Sequence, residues 1–260
     1  MMSLRELNAR PPAERDRAYF FLVPPTFCER YGLNPVTLTD PEGVPLARIE
    51  APPGEASMRL TLRHRADAVD PALFLRLDET RYRNLQITWI ILSEPEGPRF
   101  GVDLDDAGNV TDLGARYRNL REEEAAMRAG LAPGQIRPGL RMLRAVLDRI
   151  ESLALRLGTP ALILEAFFYH NALTYERHGF GYLAGQERME AIHRGFLPGG
   201  ELEARLDGRT PFRAPGAGKS VRGRSWAIHD GILPGRWWPP MMYRPVGVRF
   251  QVCTAPGVPY

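Results

Sequence analysis

The hydrophobic pattern is clearest between residues 140 and 168. Apolar residues recur every three or four positions and would share one face of a helix, and they are Leu140, Leu143, Val146, Leu147, Ile150, Leu153, Ala154 and Leu157. Gly158 and Pro160 follow and predict the end of this helix. The next segment, Ala161–Phe168, is apolar on both faces apart from Glu165. This pattern predicts a strand in the middle of a sheet.

Elsewhere, segments with alternating polarity or many β-branched and aromatic residues predict further strands. They are Tyr19–Val23, Val36–Thr39, Leu46–Glu50, Met58–Arg63, Leu85–Leu92 and Phe100–Leu104. Ala72–Leu77 is compatible with a helix or a strand. Helices are predicted over Thr26–Tyr31, Tyr117–Gly130 and Gln186–Phe196. The whole pattern predicts an α/β fold, a mixed and mostly antiparallel twisted sheet with flanking helices.

The composition changes beyond Leu183. Residues 198–260 are rich in Gly, Pro and Arg and contain Trp226, Trp237 and Trp238, so they are too aromatic for a disordered tail. We therefore predict a folded domain over residues 18–185 and an Arg/Trp-rich extension over residues 186–260. The extension would pack on the core or on a partner subunit, which makes a homodimer plausible. Within it, residues 216–220 end like a phosphate-binding P-loop, but the pattern predicts no helix after them.

Charge and cysteine usage limit the classes of partner. The formal net charge is +3, and Lys219 is the only lysine among 34 basic residues. This balance alone does not indicate a nucleic acid, which would require a clustered basic face. No apolar run is long enough for a membrane span, and the N-terminus lacks a signal-peptide core. Cys28 and Cys253 form no disulfide framework. These features predict a reduced, cytoplasmic protein.

The loop before the clearest helix is the first candidate site. Residues 134–139 read Gly-Gln-Ile-Arg-Pro-Gly. The free N–H groups and partial positive charge of a helix N-terminus bind phosphates, and Arg137 or Arg141 would add a charge-assisted contact. The alternative is a plain connection between two helices.

Residues 134–185 resemble the C-terminal half of the GNAT acyltransferase superfamily. The resemblance depends on Leu-Ile-Leu-Glu-Ala at 162–166, on Asn171 and on Tyr-Glu-Arg-His-Gly-Phe at 175–180. Those enzymes end a helix in a short loop, run a strand, then carry Asn and Tyr-Glu-x-x-Gly-Phe. Their loop before the helix reads Gln/Arg-x-x-Gly-x-Gly/Ala and holds the pyrophosphate of acetyl-CoA. With Gly139 as the first motif glycine, Ile136 takes the Gln/Arg position and Arg141 the Gly/Ala position.

The resemblance implies a GNAT-like fold and acyl transfer from acetyl-CoA or another acyl-CoA to an amine of a small molecule or peptide. The amine would attack the thioester directly in a ternary complex. Tyr175 would protonate the departing thiolate, and Glu165 or His170 would accept the amine proton. Burial of Glu165 in its strand would raise its pKa toward a useful range. The implied cofactor-binding residues are Gln135, Arg137, Gly139, Leu140, Arg141 and Asn171.

The sequence is also compatible with two other functions. The first is a GNAT-like scaffold without CoA chemistry that binds ligands or assists assembly. The second is a metal-dependent enzyme of another class. Its candidate ligands are His170, His178, His193 and the pair His229-Asp230, whose spacings match no compact metal motif. The sequence does not identify the acyl acceptor.

Overall fold

The computed structural model of the protein describes residues 2–105, 107–111 and 117–260. The helices in these ranges are α1 (Leu4–Asn8), α2 (Pro12–Phe20), α3 (Pro25–Tyr31), α4 (Leu120–Arg128), α5 (Leu143–Leu157), α6 (Tyr169–Arg177), α7 (Gln186–Gly195) and α8 (Val221–His229). The strands are β1 (Ala47–Glu50), β2 (Ser57–Leu62), β3 (Leu73–Glu79), β4 (Leu85–Leu92), β5 (Ala161–Glu165), β6 (Gly181–Ala184) and β7 (Met241–Pro245). Two short 3-10 turns lie at Pro211–Arg213 and Ala217–Lys219. None of the described helices is both long and apolar enough to cross a bilayer.

The described strands form one open sheet in the order β1-β2-β3-β4-β5-β7-β6. The first four strands make an antiparallel series, β4 and β5 run parallel, and β6 pairs with β7 antiparallel. On β2 the buried residues Met58, Leu60 and Leu62 alternate with more exposed ones, as expected for a strand with one face on the core. The prediction of an α/β fold with a mostly antiparallel sheet and flanking helices is confirmed.

Residue contacts divide the chain into two compact units. Unit 1 contains residues up to Glu96 together with Gly139–Leu164 and Arg244–Val248. Unit 2 contains Gly97–Pro138, Glu165–Tyr243 and Arg249–Tyr260 as far as these are described. Each unit has its own buried apolar residues.

The interior of unit 1 is mainly aliphatic, with Tyr19 and Phe27 as fully buried aromatic residues. Leu60, Leu75 and Leu85 from the sheet are fully buried, as are Val146 and Ile150 from α5. Helix α5 thus buries the face that its sequence pattern predicts. It ends at Gly158, whose φ of 67° is the left-handed conformation that glycine adopts at helix ends.

The interior of unit 2 is more aromatic. Trp226 of α8 is 1% exposed, and its ring stacks on Phe212 with the centroids 5.1 Å apart. Its indole Nε1 donates to the carbonyl of Leu131 at 2.8 Å. Residues 186–260 therefore contribute ordered helices and a buried tryptophan to this unit.

Three predicted strands are wrong. Val36–Thr39 is a turn that ends in an isolated bridge between Thr39 and Pro45. Tyr19–Val23 is not a strand, because α2 begins at Pro12, a good first helical residue, and extends through Phe20. A short apolar run has no period long enough to separate a buried helix from a strand. Phe100–Leu104 does not return beside β4. The N–H of Phe100 instead donates to the carbonyl of Ile136 at 2.8 Å.

Helix α8 was not predicted. Its N-cap is Ser220, whose hydroxyl accepts from the N–H of Gly223 at 3.0 Å. The helix follows the P-loop-like residues directly, so the expectation that no helix follows them is wrong. The predicted helix at Thr26–Tyr31 and the predicted strand at Leu85–Leu92 are confirmed as α3 and β4. Ala72–Leu77 belongs to strand β3.

Candidate functional site

The loop before α5 is joined to the end of β4 by main-chain hydrogen bonds within unit 1. Gly139 forms an antiparallel bridge with Ser93, and the N–H of Leu140 donates to the carbonyl of Leu92 at 3.1 Å. These bonds fix the loop immediately before the first turn of α5. The residues directly before α5, Gly139 and Leu140, are therefore attached to the end of β4.

The N-terminus of α5 has the character of an anion site. Met142 provides no side-chain cap, and the first turn contains no acidic residue. The first N–H groups of a helix lack helical acceptors and carry partial positive charge. Arg141 and Arg144 are exposed beside this end, and no carboxylate among the described residues pairs with either. Arg144 was not singled out in the sequence, although an arginine in the first helical turn is an identifiable signal.

Arg141 has a backbone conformation that disfavours side chains. Its φ is 59°, in the left-handed region that glycine adopts without steric cost. We expect Arg141→Gly to be more stable to unfolding than Arg141→Ala by about 1 kcal/mol, because only alanine keeps the Cβ strain. Urea unfolding midpoints of the two variants measure this difference. Both variants lack the guanidinium, so equal midpoints would show that the backbone at residue 141 is not strained.

Strand β4 extends past its ladder with β5. The parallel pairing runs from Leu85 opposite Leu162 to Ile87 opposite Leu164, whereas β4 continues to Leu92. A register shift on the β3 side places one extra residue, Thr88, at this point of β4. The end of β4 thus continues past β5 and is hydrogen-bonded to the loop before α5.

Two predicted ligands of the pyrophosphate, Gln135 and Arg137, belong to unit 2. The side-chain oxygen of Gln135 accepts from the N–H of Ala132 at 2.7 Å, and Arg137 donates to the carbonyl of Gly97. Each side chain therefore stabilises the loop conformation with at least one hydrogen bond. Their role in cofactor binding stays a prediction.

Helix α6 carries Tyr175 inside unit 2. Its side chain is 8% exposed, and its ring packs edge-on against Phe180 with the centroids 5.5 Å apart. Gly179, at φ 80°, ends this segment, and a Cβ there would lie 2.5 Å from Cδ of Arg249. Burial raises the pKa of Tyr175, so the phenol keeps its proton. No hydrogen bond of its hydroxyl is found within the described part of the chain.

His170 is held by hydrogen bonds at both ring nitrogens. Its Nδ1 lies 2.9 Å from the hydroxyl of Ser225, and its Nε2 lies 3.2 Å from the amide nitrogen of Asn171. An amide nitrogen only donates, so Nε2 is the acceptor and Nδ1 carries the proton. Burial, with the nearby charges of Arg222 and His229, lowers the pKa of His170 to about 3. The imidazole is therefore neutral and already hydrogen-bonded, which makes it a poor proton acceptor near neutral pH.

The side chain of Asn171 forms a hydrogen bond at the start of its own helix, α6. Its side-chain oxygen accepts from the N–H of Phe168 at 3.2 Å, while its amide nitrogen contacts His170. The cofactor contact implied for Asn171 stays a prediction.

The expectation that Glu165 is buried is wrong. Strand β5 ends at Glu165 instead of continuing to Phe168, and the residue is exposed at that end. Beyond the strand the apolar run includes the fully buried Ala166 and the exposed Phe167. Glu165 is thus a solvent-accessible carboxylate.

An ion network in unit 2 was missed entirely. Arg118 donates to Glu123 at 2.9 Å and to Asp230 at 2.7 Å. His229 Nε2 lies 3.2 Å from the other oxygen of Glu123, and Arg213 donates to Asp230 at 2.9 Å. The network ties the segment before α4 to the end of α8. Its members lie up to 112 positions apart, beyond the reach of local patterns.

Comparisons with known proteins identify no relative. No protein-family model, curated protein or solved structure matches the chain. In the described ranges, no group of three or more His, Cys, Asp or Glu side chains is arranged to hold a metal ion.

Proposed function

We propose that the protein is an acyl-CoA-dependent N-acyltransferase, which transfers an acetyl or related acyl group to an amine of a small molecule or peptide. The observation that carries this proposal lies in unit 1. The end of β4 extends past β5 and is joined by the Leu92–Leu140 hydrogen bond to the loop before α5. That helix begins without a side-chain cap, beside Arg141 and Arg144.

The order of these features fits the chemistry of acyl-CoA. An extended ligand arm that carries amides can hydrogen bond along a strand, as peptides do when they join a sheet. A pyrophosphate is matched by helix N–H groups and by guanidinium groups. Acyl-CoA contains both parts in sequence, an amide-bearing arm next to the thioester and then a pyrophosphate. The end of β4 would receive the arm, and the first turn of α5 would receive the pyrophosphate.

The elements also occur in the order that the resemblance implies. Helix α5 ends at Gly158, strand β5 follows, and α6 then carries Tyr175 before Gly179 and Phe180. Burial raises the pKa of Tyr175 and so makes the phenol a weaker acid. Its hydroxyl has no hydrogen-bond partner among the described residues and can donate a hydrogen bond to a developing thiolate. This supports Tyr175 as the general acid.

The proposed reaction proceeds in one acyl transfer. The amine nitrogen attacks the thioester carbonyl carbon, the new C–N bond forms, and the C–S bond breaks. The thiolate sulfur takes the proton of Tyr175, and the amine loses a proton to Glu165 or to a water molecule. His170 is assigned to positioning, because both of its ring nitrogens are occupied.

Calorimetric titration with acetyl-CoA tests the cofactor site. We expect binding that weakens about 10-fold in Arg141→Ala and in Arg144→Ala, because a hydrogen bond to a charged group contributes roughly 1.5–3 kcal/mol, less where solvent reaches it. Arg156→Ala is the matched control, since it removes a charge from the last turn of the same helix. It should bind acetyl-CoA like the unmodified protein.

The titration also separates the alternatives. Equal weakening by all three variants would indicate a general charge effect and contradict the assigned site. No binding at millimolar acetyl-CoA would remove the acyltransferase proposal and favour a scaffold that binds other ligands.

A further inference from the structure

A second group of arginines converges on one aromatic ring in unit 2. The guanidinium carbon of Arg177, from the end of α6, lies 5.7 Å from the ring centroid of Tyr260. The guanidinium carbon of Arg222, from the first turn of α8, lies 5.5 Å from the same centroid. The ring stabilises both cations through its negative face, but it does not neutralise their charge.

Neither arginine has an acidic partner among the described residues. Other arginines of the same unit are paired with carboxylates, for example Arg118 with Glu123 and Arg213 with Asp230. Nε of Arg222 is buried and has no hydrogen-bond acceptor in the described part of the protein. A buried, charged donor without an acceptor is unfavourable and calls for an explanation.

The position of Arg222 at the start of α8 makes its positive charge more unusual. The positive end of a helix dipole favours acidic residues, yet the first turn of α8 contains Arg222 and no acidic side chain. Lys219 immediately precedes the Ser220 cap. Gly130 lies against Arg222, since a Cβ at Gly130 would be 3.3 Å from Nη1. Gly130 thus leaves room for the guanidinium group, and no carboxylate among the described residues pairs with it.

We propose that Arg177, Arg222 and Tyr260 form a binding site for a dianionic phosphoryl group. Two guanidinium groups match two negative charges, and each offers several donors in a planar arrangement that suits phosphate oxygens. Arg177 and Tyr260 are exposed, so a ligand reaches the site from solvent. The ligand is inorganic phosphate or a phosphate monoester.

Calorimetry with two probes tests the site. The intact protein is titrated with inorganic phosphate and with glycerol 3-phosphate at constant ionic strength, because charge contacts weaken with salt. We expect saturable one-to-one binding of at least one probe, weakened at least 10-fold in Arg177→Gln and in Arg222→Gln. Stronger binding of the monoester would identify an organic phosphate as the ligand class.

Arg194→Gln provides the matched control. Arg194 is an exposed arginine near the end of α7 in the same unit, and its replacement removes the same charge. It should leave phosphate binding unchanged. No saturable binding of either probe, or equal weakening by Arg194→Gln, would overturn the proposal. Circular dichroism of each variant confirms that the fold is retained, and Arg177→Gln stays informative if Arg222→Gln unfolds.

This phosphate-binding test does not depend on whether the protein transfers acyl groups. Acetyl-CoA titrations of the same variants report on the site in unit 1, whose arginines are unchanged. Retained acetyl-CoA binding with lost phosphate binding would support two separate sites. Phosphate binding that disappears only in Arg141→Ala would assign the phosphate to α5 and overturn the site at Tyr260.

Discussion

Glu123→Gln is expected to lower the free energy of unfolding by about 3–5 kcal/mol, the range for removing one partner from a buried ion pair. Glu123 is 2% exposed and accepts hydrogen bonds from Arg118 and His229. Glutamine keeps the shape of the side chain but removes the charge. The Arg118 guanidinium would then lose one of its two carboxylate partners, Asp230 being the other. Urea denaturation followed by tryptophan fluorescence measures the change.

The neighbouring residue supplies the control. Glu124 pairs with Arg128, whose side chain is 75% exposed, in the ordinary spacing of a surface helix pair. Such a pair contributes about 0.3–0.5 kcal/mol, so Glu124→Gln should change stability by no more than that. If both variants lose the same small amount, the buried network does not stabilise the fold and the prediction fails.

The same network predicts a pH dependence. Burial alone would raise the pKa of Glu123, but hydrogen bonds from His229 and Arg118 outweigh it and hold the pKa below its ordinary value. A carboxyl with a lowered folded pKa contributes stability that is complete above its unfolded pKa of about 4.3. That contribution disappears as the pH falls through the folded pKa. Unfolding free energies measured from pH 6 downward should therefore decline less steeply in Glu123→Gln than in the unmodified protein.

The elements around the candidate cofactor site were predictable because their signals are local. Helix α5 has an unbroken helical period, and Leu85–Leu92 is rich in β-branched and aromatic residues. Both patterns reflect burial of one side of a single element. The same reasoning failed at Tyr19–Val23, where five apolar residues carry no usable period, and at α8, where arginines and a glycine interrupt the apolar face.

The features that give the site its character depend on tertiary structure. The length of β4 beyond β5 depends on where the pairing stops, and the left-handed φ of Arg141 occurs directly after the residue that is hydrogen-bonded to β4. Neither leaves a pattern in the sequence. The contacts of Arg177 and Arg222 with Tyr260 likewise join residues that are far apart in the chain. The sequence shows which residues are charged, but it does not show which of them lack an ion-pair partner in the folded protein.

Tyr175→Phe is expected to reduce kcat for acyl transfer by about 10²–10⁴-fold, the usual contribution of a positioned general acid. The ring would keep its edge-on contact with Phe180, and no described residue hydrogen bonds to the lost hydroxyl. Stability should therefore change by less than about 0.5 kcal/mol, the range of substitutions that break no buried contact. Affinity for acetyl-CoA should be retained. Release of CoA thiol, measured colorimetrically over a panel of primary amines, reports the rate.

Tyr182→Phe distinguishes chemistry from packing. The Tyr182 hydroxyl donates to the buried carboxylate of Glu176, which also accepts from the N–H of Thr254 at 3.1 Å. Removing this donor should cost about 1–3 kcal/mol of stability, because a buried carboxylate loses a hydrogen bond, while kcat stays within a few-fold of its original value. The two substitutions should thus have opposite effects. Tyr175→Phe should lower kcat without lowering stability, and Tyr182→Phe should lower stability without lowering kcat. Unchanged turnover in Tyr175→Phe would leave Tyr175 as a packing residue, and the general acid would then have to be a solvent molecule.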